Sequence, residues 1–401
     1  MRIFWNELKK LLNWRLLLIL AVFTGLFYYM FLSPDLVSGY PNGHPSAESL
    51  EVAKQMLKKY GPRIDAAEQK EFETVDYPAI KKAASRELAG IKEFRDAGIT
   101  TVDAYEALDK KQKGGDEASS KKWCELFDAL NDTIPFRFPP RPDAYYMYQA
   151  ARDEIGVNFG KEDAETRAAS VPSGAARERI GELEKQAGSE GVPVITNIMN
   201  GPLPTWDSMA QSLCVLLLFT VAILISPLLV RERRSGVRGI AYASRKGRPL
   251  FSVQLGASLA VAALAEAVQF AAFFILFCNG PHRDDLLFRN CDVSYELGTW
   301  RDMTFGQYIA LDCAALFLLA FGYAMVSFAV SRFCKNYVTV IAVQVPVLFL
   351  AVKLNGRVLG VLFNVYRSRY LEPLVCVLCA LVPLILCLFL LQREKRADIL
   401  T

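Results

Sequence analysis

Histidine is almost missing from this sequence: 401 residues hold two, His44 and His282, far apart in the chain. That scarcity argues against a multi-histidine metal site and against a histidine-based hydrolase. A phosphate-cradling loop is also lacking. The nearest approach, Gly156 to Lys161, has the wrong spacing and is followed by Glu162 where a metal-binding hydroxyl would stand. Alternating strand patterns are scarce, which argues against a sheet-based domain. The nine cysteines are scattered without the regular spacing of a disulfide framework. A bridge between Cys278 and Cys291 stays open, while Cys376-x-x-Cys379 lies in an apolar run with no histidine or third thiol near it. Neither zinc nor redox chemistry suits that pair. No catalytic residue and no metal ligand is therefore assigned.

What the chain has in excess is apolar surface, 52% hydrophobic residues beside 22% charged ones, and the two are segregated. A bilayer crossing takes about 20 residues of helix. Runs of that kind occur at roughly 14–32, 209–230, 251–278, 306–330, 337–354 and 373–391, predicting six spans. The first resembles a secretion signal only superficially. Tyr28 and Tyr29 close its apolar run, no small-residue cleavage pattern follows, and it reads as a retained anchor.

Orientation follows from the flanking charges. Arg2, Lys9, Lys10 and Arg15 precede the first span. Arg231, Arg233, Arg234, Arg238, Arg245, Lys246 and Arg248 lie between the second and third. Arg332 and Lys335 join the fourth to the fifth, and Arg393, Lys395 and Arg396 follow the sixth. Only Glu7, Glu232, Glu394 and Asp398 oppose them, so this side is expected in the cytoplasm with both termini. The segment 33–206 then lies outside, where acids outnumber bases.

That outer segment shows recurrent helical spacing. Leu50, Ala53, Met56, Leu57 and Tyr60 share one face, as do Ile80, Ala84, Leu88, Ile91 and Phe94, and Trp123, Leu126, Phe127 and Leu130. A mostly helical extracellular domain is predicted. The stretch "IPFRFPPRPDAYYMYQ" (134–149) is either a ligand surface or an aromatic loop packed on the helices.

The most informative stretch is "LLVRERRSGVRGIAYASRKGRPLFSVQL" (228–255), two arginine-rich turns around a short apolar centre. Its span is too short and too close to the bilayer for a nucleic-acid surface. As a bent segment docking a cytosolic protein, each feature has a use: glycine for the turn, Glu232 for a charged partner, the apolar centre for a groove. The stretch resembles permeases of the ATP-binding-cassette type-2 transporter family. Glu232 and Gly236 match the family's Glu-x-x-x-Gly at the end of the second span, and "ASRKGR" (243–248) resembles the small, basic, Gly-Arg segment that follows it. The resemblance covers the six-span plan and this elbow, not the outer domain. It implies a coupling helix seated in a nucleotide-binding subunit, with Glu232, Gly236, Tyr242, Arg245, Gly247 and Arg248 as coupling residues. It also implies that Mg-ATP is held by that partner, with no cofactor in this chain, and that two permeases pair as a homodimer or heterodimer.

The opening "MRIFWNELKKLLNW" places Ile3, Phe4, Leu8, Leu11 and Leu12 at helical spacing, with Asn6, Glu7, Lys9, Lys10 and Asn13 on the other side. It reads as an interfacial helix that either anchors to lipid or contacts the nucleotide-binding subunit. Within the spans, charges are costly and call for a role or a partner. Glu266 in the third span, with Gln269 one turn on, and Asp312 in the fourth either line a substrate path or fix helix packing. Gln211, Gln254 and Gln344 add polar points. Pro346 and Pro383 are expected to bend the last two spans, and Gly256 and Gly322 to allow close contacts. The stretch 353–373 suits a shallow re-entrant or interfacial hairpin on the outer side, and the family resemblance implies a pair of half-helices there that closes an outer gate.

The sequence thus predicts an all-α membrane protein: an interfacial helix at 1–13, a first span at 14–32, an extracellular helical domain at 33–206 and a five-span region at 207–401 with its elbow at 231–249. The expected function is the permease subunit of an exporter in a bacterial cytoplasmic membrane, with membrane lipid and a cassette ATPase as partners and no nucleic acid. Two rivals remain. One is a membrane-anchored sensor or assembly protein with a ligand-binding outer domain; the other is a proton-coupled secondary transporter, against which no duplicated halves are evident.

Overall fold

The computed structural model describes residues 2–33, 36, 47–133, 144–153, 155, 171, 173–194, 202–234, 250–279 and 281–396. Within them the chain is almost wholly helical. In order, the elements are α1 (Arg2–Leu11), α2 (Trp14–Phe27, continued by a π-helical turn Tyr28–Leu32), α3 (Ala47–Tyr60), β1 (Arg63–Ile64), α4 (Ala66–Glu71), α5 (Tyr77–Gly90) and α6 (Lys92–Asp96). There follow α7 (Val102–Lys113), α8 (Glu117–Thr133), α9 (Ala144–Asp153), α10 (Gly174–Glu190), β2 (Val192–Pro193), α11 (Pro202–Ile225) and α12 (Leu228–Arg234). The remainder comprises α13 (Leu250–Asn279), a 3-10 stretch Pro281–Asn290, α14 (Ser294–Leu297), α15 (Phe305–Phe333), α16 (Tyr337–Val358) and α17 (Leu371–Arg396).

Six helical stretches among the described residues are long and apolar enough to cross a membrane: Trp14–Leu32, Thr205–Arg234, Leu250–Asn279, Phe305–Phe333, Tyr337–Val358 and Leu371–Glu394. Most extend beyond the apolar runs read from the sequence, because a helix needs only backbone hydrogen bonds to continue once its ends leave hydrocarbon. The second is interrupted by a turn at 226–227, where Pro227 cannot supply an N–H to the ladder. The apolar windows of the second and fourth spans are 72% and 61% buried, against 11% to 22% for the other four. Those two helices therefore form the centre of this unit. Gly322 of α15 meets the backbone of α17 so closely that an added Cβ would overlap the carbonyl of Cys379, whereas Gly256 of α13 leaves the ring of Phe4 at an ordinary 3.9 Å. Of the two glycines expected to bring helices together, Gly322 is the one that requires the missing side chain.

Between α16 and α17 the chain does not form a pair of half-helices. The fifth span runs unbroken to Val358, and residues 359–370 are turns with Val361 and Phe363 both at φ 58. A β-branched residue in that region is strained, and burial of Val358, Leu359, Leu362 and Val365 holds it there. Cys278 and Cys291 are both free thiols, and burial pushes that of Cys291 up to about 12.

The chain divides into two compact units. One comprises Met1–Pro41, Pro204–Leu286 and Gly306–Thr401; the other comprises Asn42–Leu203 and Leu287–Phe305. The second unit is helical with a minimal antiparallel sheet, in which Arg63 pairs with Pro193 and Ile64 with Val192. Gly191 precedes β2 at φ 91, and a Cβ there would collide with the backbone of Ile64. Its core joins α5 to α9 through Ala84, Leu88, Phe94, Tyr105, Leu130 and Tyr148. The stretch 134–149 falls partly here: 144–149 belongs to α9, with Tyr145 and Tyr148 buried, and 134–143 lies outside the described residues.

Residues 287–305 are part of this same unit rather than a separate loop. Arg179 of α10 donates through Nε to the carbonyl of Thr299 at 2.9 Å and pairs with Asp302, while Arg63 pairs with Asp292. The Tyr295 hydroxyl donates to Glu184 at 3.2 Å. Phe288, Cys291, Val293 and Phe305 are fully buried.

Candidate functional site

The seven residues of α12 carry the end of the second span into the arginine-rich stretch, and their side chains fan out to four other elements. Glu232 is 8% exposed. Its Oε1 accepts from Lys10 Nζ of α1 at 2.7 Å, and its Oε2 accepts from Gln254 Nε2 at the start of α13. Lys10 also binds Glu7, which is only 3% exposed. Gln254 reaches Glu7 Oε2 at 3.4 Å, and Arg231 donates to the carbonyl of Lys10 at 3.0 Å. Burial works against the charge on Lys10, but its hydrogen bonds to Glu232 and Glu7 outweigh that cost and hold its pKa above the ordinary value.

The sequence places Glu7 on the polar side of α1, opposite Ile3, Phe4, Leu8, Leu11 and Leu12. The structure buries it because α1 lies against α13, with the ammonium of Lys10 between Glu7 and Glu232. The apolar residues Ile3, Trp5 and Leu12 are exposed instead, at 39%, 60% and 37%, which suits a helix with one side on protein and another on lipid. Asn13 caps the helix that follows, its side chain accepting from the N–H of Arg15 at 3.1 Å.

Arg233 and Arg234 point to the other side of the knot. Arg233 donates to the carbonyls of Cys334 and Arg332, both at 2.7 Å, and so covers the end of α15 where carbonyls lack helical partners. Arg332 itself pairs with Glu394 of α17. Arg234 lies 5.4 Å from the ring centre of Tyr337, the first residue of α16. Ser331 accepts from the N–H of Leu229 at 3.2 Å, and Val230 packs with Cys334 and Val340. One short helix thus binds the beginnings or ends of α1, α13, α15 and α16. Of the coupling residues read from the sequence, Glu232 is in this knot. Gly236, Tyr242, Arg245, Gly247 and Arg248 lie outside the described residues.

Deeper in the spans, Gln269 accepts from the hydroxyl of Thr220 at 2.9 Å and donates to that of Thr24 at 3.1 Å, joining the first three spans. Gln344 donates to Ser226 at 2.9 Å and Ser327 at 2.6 Å, joining the fifth to the second and fourth. Trp206 Nε1 donates to Asp312 Oδ2 at 3.0 Å, and one turn away Tyr308 donates to Asp207 at 2.7 Å. Glu266 is 1% exposed with its Oε1 unpartnered among the described residues. The residues bridging helices are therefore Gln269, Gln344 and Asp312, while Asp207, Trp206 and Tyr308 were not singled out from the sequence. Their signal was weak: a tryptophan and an acid at the edge of an apolar run read equally as interfacial anchors.

A cavity of about 480 Å³ opens beside these helices, walled by the first, second and fifth spans. Phe23, Phe27, Phe31 and Phe219 line it with rings, Phe23 lying 5.2 Å from Phe219 between centres, and Gln211, Ser212 and Asn355 are its polar lining residues. Glu266, Gln269 and Asp312 do not line it.

The sequence model of the ABC-2 family transporter proteins matches residues 144–362, which takes in α9 through α16 and more than half of the chain. No curated protein and no solved structure shows a match.

Proposed function

Since the chain belongs to the ABC-2 family of transporter proteins, we propose that it is the membrane permease subunit of an exporter driven by ATP hydrolysed in a separate cassette subunit. The observation that carries this reading is the knot at α12: force applied to the arginine-rich segment leaving Arg234 enters a helix already bonded to α1 and to three other spans. Tight polar bonds of this kind move as one body, so displacement of the segment shifts the spans together rather than bending one of them. Glu232 acts here as a positioning residue that holds α1 and α13 to the second span. Gly236, Tyr242, Arg245, Gly247 and Arg248 are assigned to the surface that meets the ATPase.

In this reading residues 1–13 and 231–249 face the cytoplasm, the second unit lies outside, and the chain works as a dimer with itself or a sister permease. The protein performs no chemistry; Mg-ATP is held by the partner. The test is copurification from detergent with a candidate cassette ATPase subunit, followed by ATP turnover. Glu232→Lys should lower both assembly and turnover, and the exchange Lys10→Glu with Glu232→Lys should recover a large part of them. Recovery in neither, or no loss with Arg245→Glu and Arg248→Glu together, overturns the coupling assignment.

A further inference from the structure

One face of α16 carries two cations that are given no acid among the described residues. Val340, Gln344, Asn355 and Val358 of this helix are buried, and the helical period puts Pro346, Phe349, Leu350, Lys353 and Arg357 on the opposite face. All five of the latter are exposed, Phe349 and Leu350 by 64% and 67%. Neither Lys353 nor Arg357 pairs with a carboxylate among the described residues. Arg367, whose guanidinium donates to the carbonyl of Arg357, differs from them in having Glu372 at 3.6 Å.

The 22 residues of α16 rise about 33 Å, close to the roughly 30 Å of hydrocarbon in a bilayer. Lys353 sits about 7.5 Å short of the end at Val358 by the same rise. Its ammonium lies 5.7 Å from the ring centre of Phe349, one turn further from that end. The ring offers a cation a favourable face but no charge, and a cation at this level without an anion is costly. Lys353 and Arg357 are four positions apart on one helix, so a single anionic group can reach both. Tyr366 and Tyr370, in the connection that follows, are 49% and 71% exposed, as suits rings at headgroup level.

We propose that Lys353 and Arg357 hold the phosphate of an anionic phospholipid whose acyl chains lie along Phe349 and Leu350. A membrane supplies this combination of anion and apolar chain at the level where the two cations stand. A second copy of the chain meeting this face with its own would bring like charges together, which disfavours a two-fold contact here. A choline headgroup would add a third cation beside two that already lack an acid, so phosphatidylglycerol is preferred to phosphatidylcholine. The proposal needs α16 to cross a bilayer and is independent of the permease reading.

The test uses the full chain in phosphatidylcholine nanodiscs doped with photoreactive phosphatidylglycerol or, separately, with phosphatidylcholine bearing the same acyl chains and diazirine. Phosphatidylglycerol should label the peptide holding residues 349–357 roughly twentyfold more than phosphatidylcholine does, since each cation near a headgroup contributes about fivefold. Lys353→Gln and Arg357→Gln should each lower that ratio about fivefold, and the double variant should abolish the preference. Lys353→Arg, which keeps the charge, should preserve it. Because the readout is a ratio, a variant that merely folds less well loses both labels together and leaves the ratio in place. Soluble glycerol phosphate, which has the anion and no acyl chain, should not displace the probe. Equal labelling by the two lipids, or a ratio that survives the double variant, overturns the proposal. Displacement by glycerol phosphate overturns it too, by showing a site for a free anion.

Discussion

Lys10 and Glu232, 222 positions apart, share a 2.7 Å ion pair that joins the first helix to the end of the second span. Glu232 is nearly buried, and its carboxylate oxygens accept from Lys10 and from the amide of Gln254. Removing one partner of such a set leaves the others unsatisfied, whereas exchanging the charges keeps the pair. Lys10→Met and Glu232→Gln should each lower the thermal midpoint in detergent, and the double variant should lose less than the sum. A coupling of about 1 kcal/mol is expected, since Lys10 is partly exposed. Strict additivity in the cycle would show that the pair is incidental.

Gly322 needs its hydrogen. An alanine Cβ would overlap the carbonyl of Cys379, a backbone atom that cannot rotate away, so α15 and α17 would have to separate. Gly322→Ala should cost about 1–3 kcal/mol, read as a lowered midpoint, and Gly256→Ala should cost far less because its Cβ would meet Phe4 at an ordinary van der Waals distance of 3.9 Å. Equal effects of the two substitutions would argue against the close crossing.

The Trp206–Asp312 bond lies inside a buried layer in which Asp312 is fully covered and its Oδ1 has no partner among the described residues. Trp206→Phe keeps most of the aromatic volume but strips Asp312 of that donor. It should destabilise by about 1–3 kcal/mol, while Asp312→Asn, which keeps an acceptor for the indole, should be tolerated. If Asp312→Asn proves as damaging as Trp206→Phe, the carboxylate has a role beyond accepting this bond.

The six long apolar helices were legible because runs of that length have few alternatives, and the helices of the second unit because their faces repeat at 3.6 residues. What joins the helices was not legible. Gln269 and Glu266 look alike in sequence, yet Gln269 finds hydroxyls on two neighbours and the Oε1 of Glu266 finds none among the described residues. Glu232 stood out in the sequence as a docking residue; in the structure it bonds Lys10 of the same chain, a pairing that no local spacing reveals. The two-residue strands β1 and β2 are too short to show alternation. Membership of 287–305 in the second unit depends on Arg63 and Arg179, more than a hundred positions earlier.

Alkaline pH should weaken the second unit before the spans. Burial, with Asp76 alongside, pushes the Tyr60 hydroxyl up to about 12, and burial does the same to Tyr145; Tyr105 and Tyr148 are raised further. A tyrosine whose folded pKa exceeds its unfolded value of about 10 binds its proton more tightly in the native state. Its contribution is complete below pH of about 10 and is lost as pH rises through the folded value. Tyrosinate absorbance should therefore show a delayed group that appears together with loss of helical circular dichroism above pH of about 11. Tyr105→Phe removes a buried hydroxyl with no hydrogen-bond partner among the described residues, so it should leave stability at neutral pH unchanged or higher and shift the alkaline transition upward. A single tyrosinate step near pH 10 with helicity intact would mean that these rings are open to water.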